Sequence, residues 1–292
     1  MNNRSAAIED YFSVFRFDQP GDWEDLKMSF SNDLEYGKHL FRGQCDSEWG
    51  LQTGLDRLEV TNKADAETYI INEFQRRYHH YLPESHFPAS TFECIALMQH
   101  HGAPTRLLDW TFSPYVAAFF AVAGVKPGGS CALWQIDLKW CADVAAARIN
   151  NEFGVPTTQW DWQDDSAFRK RFLSNRAAFV APLQPDRMNE RLTVQKGTFL
   201  CPGSVKVSFE DNLRAMAGHI GSGALVSKVI ISHSQRVEIL TDFQRMNVGE
   251  DTLFPGLDGF ARSLGHSVCC SSFAELLESQ KASQIAIEPP QK

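Results

Sequence analysis

Residues 99–121 read QHHGAPTRLLDWTFSPYVAAFFA, and the order of residue types in this stretch sets what surrounds it. A polar, irregular run from Gln99 to Arg106, broken by Gly102 and Pro104, leads into Leu107, Leu108, Asp109, Trp110 and Thr111. Ser113 and Pro114 then start a helix to about Ala123. Proline is tolerated at an early helical position, where its missing N–H has no intrahelical partner. Pro114–Ala123 is apolar nearly all round, which predicts a helix at the centre of the fold. His100, His101, Thr105, Arg106, Asp109 and Thr111 are therefore expected to project from a loop held between two hydrophobic elements. Binding and chemistry concentrate on loops anchored to a rigid scaffold.

Outward from this stretch, hydrophobic spacing gives the other elements. A helical turn is expected at Ile8–Val14. Asp22 caps a helix to about Glu35, with Trp23, Leu26, Phe30 and Leu34 on one face. His39–Gly43 is a short strand. Helices follow at about Ala64–Tyr81 and Ser90–His100. Cys131–Ile136 is a strand, Leu138–Ile149 a helix, and 154–166 is irregular. Ala178–Ala181 is short and strand-like, and Leu192–Cys201 reads as two strand pieces around Gly197. Val226–Ser232 is a strand and Gln235–Met246 a helix. A turn at Leu253–Gly259 leads into a last helical stretch, and the polar tail from Ser279 frays. The pattern predicts an α+β fold, with a helix-rich N-terminal half packed on a central mixed or antiparallel sheet. The expected division is a lead-in at 1–21, a main domain at 22–265, and a C-terminal helix with a frayed tail at 266–292.

Composition narrows the function. Hydrophobic content of 43% with 21 Phe suffices for a sizeable core in 292 residues. A net charge of −8 argues against a general nucleic-acid binder, which needs clustered Lys and Arg. No run of 18 apolar residues suggests a membrane span, and the first residues lack the apolar core of a secretory signal. The seven cysteines are scattered and contain no C-x-x-C pair, so buried thiols in a reducing cytoplasm are expected. There is no Walker A run and no G-x-G-x-x-G.

Three constellations carry candidate chemistry. In Phe41-Arg42-Gly43-Gln44, an arginine at the end of a buried strand needs an anion or a fan of carbonyls. Gly43 removes a side chain that would keep a ligand from the backbone. The functional reading is a phosphate or carboxylate fork, and the alternative is a structural ion pair. In Gln99–Ser113, Arg106 and Asp109 are close enough to pair with each other. Thr111 and Ser113 either cap the helix at Pro114 or hold an anion at its N-terminus. His100-His101 and His79-His80 complete no zinc-like ligand set, so no metal is expected. In Glu190–Phe199, Gln195 beside Gly197 is placed to hydrogen-bond a sugar hydroxyl or an amide, or to sit on the surface of a hairpin.

Together these pieces resemble the FRG domain family. Phe41-Arg42-Gly43 is similar to the F/Y-R-G signature that names it, and Met98–Thr111 with Ser113-Pro114 and Ala117-Ala118 is similar to its longest motif. Gln195-x-Gly197-x-Phe199 and Leu253–Gly259 resemble its C-terminal motifs, so the resemblance spans about residues 22–265. It implies a cytosolic, bacterial or phage-borne setting. A second resemblance is to the ADP-ribosyltransferase fold. It rests on Arg-Gly at the end of an early strand, a hydroxyl residue before a small-residue helix, and an amide on a late strand. That resemblance implies NAD as a substrate. Arg42 and Arg106 would hold its phosphates, with Gly43 and Gln44 beside them. Thr105, Thr111 and Ser113 would orient it, and Trp110 or Phe199 would stack on a ring. Asp109 and Gln195 would sit at the reacting ribose. Gln195 departs from the glutamate of that fold and carries no charge to stabilise a cation, so Asp109 or Glu190 would have to substitute. The implied activity is transfer of ADP-ribose or cleavage of the N-glycosidic bond, as in a toxin or phage-defence effector, with the acceptor, protein or nucleic acid, left open. The alternatives are a non-catalytic module recognising a nucleotide, nucleic acid or peptide, and a metal-dependent nuclease.

Overall fold

The computed structural model describes residues 13–17, 19, 21–32, 37–84, 87–154, 164–216 and 225–269. Seven strands form one sheet: β1 (Ser13–Phe17), β2 (His39–Gln44), β3 (Leu108–Thr111), β4 (Ser130–Asp137), β5 (Val180–Leu183), β6 (Gly197–Pro202) and β7 (Val226–Ser232). Their order is β1-β7-β4-β2-β3-β6-β5. β1 and β7 are parallel and every other pair is antiparallel, so the α+β class and the mixed sheet are as expected. The strands come from both halves of the chain. The turn expected at Ile8–Val14 falls mostly outside the described residues, and Val14 belongs to β1. Glu35, most of the irregular stretch after Gly154, and the tail from Ser279 also lie outside them.

The principal helices are α1 (Asp22–Asn32), α2 (Lys63–Arg77), α3 (Thr91–His100), α4 (Pro114–Ala123), α5 (Leu138–Phe153), α6 (Asp165–Phe168), α7 (Glu190–Val194), α8 (Phe209–Met216), α9 (Arg236–Arg245), α10 (Glu250–Leu253) and α11 (Leu257–Cys269). Local chemistry starts them where the sequence suggested. Asn62 accepts from the Asp65 N–H at 3.2 Å, and Ser90 accepts from the Glu93 N–H at 3.2 Å. Ser113 accepts from the Val116 N–H at 3.3 Å, so Ser113 is the cap of α4. Thr111 supports that cap by accepting from the Ser113 N–H at 3.0 Å.

Strand alternation sends side chains into two cores. Phe41, Cys131, Leu133 and Ile231 pack against α1, α4 and α9. Leu40, Ala132, Trp134 and Ile136 pack on the other face, against α2, α3, α5, α6 and α8. The first core is knit by Phe243, edge-on to Trp23 at 5.5 Å and to Phe119 at 6.1 Å. β2 meets α4 so closely that a Cβ on Gly43 would stand 1.9 Å from the Ala117 carbonyl oxygen. The bare Gly43 Cα therefore serves helix–sheet packing.

The sheet has one weak seam. β2 pairs with β4 over six residues, Gln44 to His39, and β3 pairs with β6 over four. β2 and β3 bridge only at Phe41 and Thr111. Past that pair the backbone of Arg42–Gln44 and that of Asp109–Leu108 have no ladder between them, and the two halves of the sheet part.

Candidate functional site

A cavity of about 560 Å³ opens at this seam, a size that suits a small organic ligand. Its walls include Arg42, Gly43 and Gln44 from β2, Asp109, Trp110 and Thr111 from β3, and Ala117 and Phe120 from α4. The stretch between β2 and α2 adds Trp49, Gln52 and Arg57, and α7 with the residue that follows it adds Arg191 and Gln195. Of the residues singled out in the sequence, Arg42, Gly43, Gln44, Asp109, Trp110, Thr111 and Gln195 thus meet in one cleft.

Arg42 is its central feature. Its Nη1 donates to the Asp109 main-chain carbonyl at 2.6 Å, closing the gap that the missing ladder leaves. Its Nε is buried and has no hydrogen-bond partner. Burial lowers the guanidinium's pKa from its ordinary value, the Asp109 carboxylate opposes that, and nearby Arg57 adds to the lowering. A guanidinium stays protonated regardless, so the charge asks for an anion. Arg57 donates to the Gln52 carbonyl at 2.9 Å and is exposed at the mouth. Arg191 lies over the Phe254 ring at 4.7 Å, with Arg262 also over that ring at 4.6 Å. Burial also lowers the Arg191 pKa, with Asp109 opposing and Arg262 adding. Three guanidiniums thus line the cleft, and Asp109 is the only carboxylate among its described lining residues.

Asp109 is exposed, and its Oδ2 accepts from the Gln99 Nε2 at 2.9 Å. It does not pair with Arg106. Trp110 is buried, and its Nε1 has no hydrogen-bond partner. Gln44 is held by the Trp134 Nε1 on its carbonyl, at 2.7 Å, and by its own donation to the Gly50 carbonyl at 3.0 Å. Trp49 is 53% exposed, an aromatic face at the mouth.

Four expected site residues lie elsewhere. Arg106 is fully buried, and all five of its donors are engaged: two on Glu67, one each on the Phe172 and Pro202 carbonyls and one on Asn175. A guanidinium so saturated has nothing left for phosphate. Thr105 is buried, and its hydroxyl donates to Gln99 at 2.6 Å. Ser113 spends its hydroxyl on the α4 cap. Phe199 is a core residue, edge-on to Phe92 at 6.4 Å.

Three residues in the cleft are placed differently from expectation. Leu108–Thr111 is a strand, so Asp109 and Thr111 stand on the sheet itself. Thr111 donates to the Gln195 carbonyl at 2.7 Å while accepting from Ser113, so its hydroxyl is engaged on both sides. Gln195 follows α7 and precedes Lys196 at φ 50, off the strand that was expected there. Asn189 is the reason: it caps α7 by accepting from the Leu192 N–H at 2.8 Å, turning half of the expected strand into helix. The Gln195 Nε2 donates to the Leu253 carbonyl at 2.9 Å, tying α10 to the cleft. Glu190 is exposed and does not line it.

Sequence reading missed Trp49, Gln52, Arg57 and Arg191. Arg191 carried a usable signal, since it precedes Gln195 by one helical turn and so shares its face. Among the described residues no three His, Cys, Asp or Glu side chains gather to hold a metal ion. Burial pushes the thiols of Cys94 up to about 11 and of Cys131 and Cys201 to about 12, which keeps them protonated. No described helix is long and apolar enough to cross a membrane.

No curated protein and no solved structure matches the chain. Residues 37–128 match the family model of the FRG domain, while the Gln195–Phe199 and Leu253–Gly259 motifs fall outside the matched stretch. The match takes in Arg42, Trp49, Arg57 and Asp109, so most of the cleft is built from the stretch that is similar to the FRG domain.

Proposed function

We propose that the cleft binds NAD or a related nucleotide and breaks its N-glycosidic bond, passing ADP-ribose to water or to an acceptor. One observation carries the reading. Arg42 is a half-buried cation whose buried Nε has no partner, flanked by two further guanidiniums and a single carboxylate. Such a charge arrangement suits a pyrophosphate held beside a sugar on which positive charge develops. The arginines would bind the phosphates. Trp49 and Phe120 offer rings for the base. Asp109 would stabilise the ribosyl cation as the base departs, a role that neutral Gln195 cannot fill. Gln195 and Thr111 then hold the wall. Incubation with NAD tests this: the expected result is release of nicotinamide that depends on Asp109, and neither release nor binding would refute it. A cytosolic toxin or defence effector is the setting such an activity suits.

Binding without turnover is the second reading. The engagement of both Thr111 and Gln195 in structural hydrogen bonds favours it. It predicts nucleotide affinity that survives Asp109→Asn but not Arg42→Ala, with no product formed.

A further inference from the structure

We propose that Gln99 is a positioning residue for Asp109, and that Thr105, acting through Gln99, sets which carboxylate oxygen faces the cleft. The proposal rests on the reading above, in which Asp109 meets the reacting ribose.

The hydrogen bonds form a chain whose direction is determined at every link. The Leu107 N–H donates to the Thr105 Oγ1 at 3.1 Å. The Thr105 hydroxyl donates its own proton to the Gln99 Oε1 at 2.6 Å. With its carbonyl so used, the Gln99 amide can turn only its NH2 toward Asp109, and Nε2 donates to Oδ2 at 2.9 Å. Oδ1 carries no hydrogen bond among the described residues, so it is the oxygen available to a ligand.

The fold builds this chain deliberately into one corner. Gln99 sits in the last turn of α3, and Gly102 at φ +80 reverses the backbone so that Thr105 returns beside it. Thr105 is 2% exposed, so losing its partner would strand a buried hydroxyl. The Thr105 carbonyl also accepts from the Leu55 N–H at 2.9 Å, which ties the Trp49–Arg57 wall to the same residue. One threonine thus braces the carboxylate on one side of the cleft and the cationic mouth on the other.

Two measurements separate this proposal from the reading it rests on. In ligand-free protein, NMR follows solvent exchange of the Gln99 side-chain amide. The Asp109-facing proton is expected to be protected, and to exchange about tenfold faster in Thr105→Val and in Asp109→Ala. Unchanged exchange in both variants would overturn the proposal whatever the protein does to NAD. With NAD, Gln99→Leu is expected to lower kcat for nicotinamide release by about tenfold with KM unchanged. Gln99→Glu should lose activity near pH 7 and recover part of it toward about pH 5, where a protonated Glu again donates to Asp109. A wild-type kcat in Gln99→Leu, or identical pH profiles for the two variants, would overturn the positioning role. A wild-type protein that releases no nicotinamide, while the Gln99 proton stays protected, overturns the nucleotide-cleaving reading and confirms the hold of Gln99 on Asp109.

Discussion

Arg42 donates to the main-chain carbonyl of Asp109 at 2.6 Å, across the one place where neighbouring strands of the sheet share a single bridging pair. The bond joins two walls that the backbone leaves apart, and it leaves the buried Nε of Arg42 facing no partner. Arg42 is therefore a brace, and under the proposed function it is also the receptor for the nucleotide's phosphates. Arg42→Ala is predicted to weaken nucleotide binding by about a hundredfold, since truncating one partner of a desolvated, hydrogen-bonded charge pair costs about 2–5 kcal/mol. Arg42→Lys should recover only part of this, because an ammonium lacks the planar fork. Calorimetric titration with NAD decides it. Equal affinity for the wild type and Arg42→Ala would remove Arg42 from the site.

Gly43 fits β2 against α4 and is predicted to tolerate no side chain. A Cβ there would meet backbone atoms, the Ala117 carbonyl at 1.9 Å and the Ala121 nitrogen at 2.6 Å, which cannot swing aside. Gly43→Ala should cost at least about 1–3 kcal/mol, the range for overpacking a core. Urea unfolding would show a lower midpoint with an unchanged slope. An unchanged midpoint would mean that the helix gives way at no cost.

Arg106 and Glu67 form a buried ion pair with no exposed arginine surface. Glu67→Ala leaves that guanidinium uncompensated in the core and is predicted to cost about 3–5 kcal/mol. Near-native stability in thermal unfolding would show that the pair is dispensable. Nucleotide affinity, measured well below the transition, should change little. A selective loss of affinity would return Arg106 to the site.

His100, at the end of α3, has its pKa lowered from 6.5, first by burial, then by His101 and Arg191. The folded state disfavours the imidazolium. The stability contributed by neutral His100 is thus complete above about pH 6.5 and is lost as pH falls through the lower folded-state value. Wild-type Tm is predicted to fall more steeply than that of His100→Gln between about pH 7 and pH 5. Parallel Tm profiles would contradict the assignment.

The elements with strong local signals were legible in the sequence. Ser113-Pro114 starts α4 at the residue expected, and Val226–Ser232 is β7 end to end, because cap chemistry and a dense β-branched run act within a few residues. Arg42, Asp109, Trp110 and Gln195 were also traced to one site. What escaped depends on distance along the chain. Nothing near Arg106 announces Glu67, 39 residues upstream, and only the tertiary fold brings the two together. Trp49 and Arg57 lie on a stretch without periodicity, where facing cannot be read from spacing. Gln195 was misplaced because Asn189, a cap three positions before an apparent strand, outweighs the alternation of Leu192 and Val194.

Under the proposed function, Asp109 does chemistry on a nucleotide held by Arg42. Nicotinamide release from NAD, measured for the wild type and Asp109→Asn beside calorimetric binding of NAD to both, tests it most directly. The expected result is release by the wild type, a loss of about a hundredfold or more in Asp109→Asn, and affinity retained within about a factor of three. Release that persists in Asp109→Asn, or a wild type that neither binds NAD nor releases nicotinamide, would contradict it.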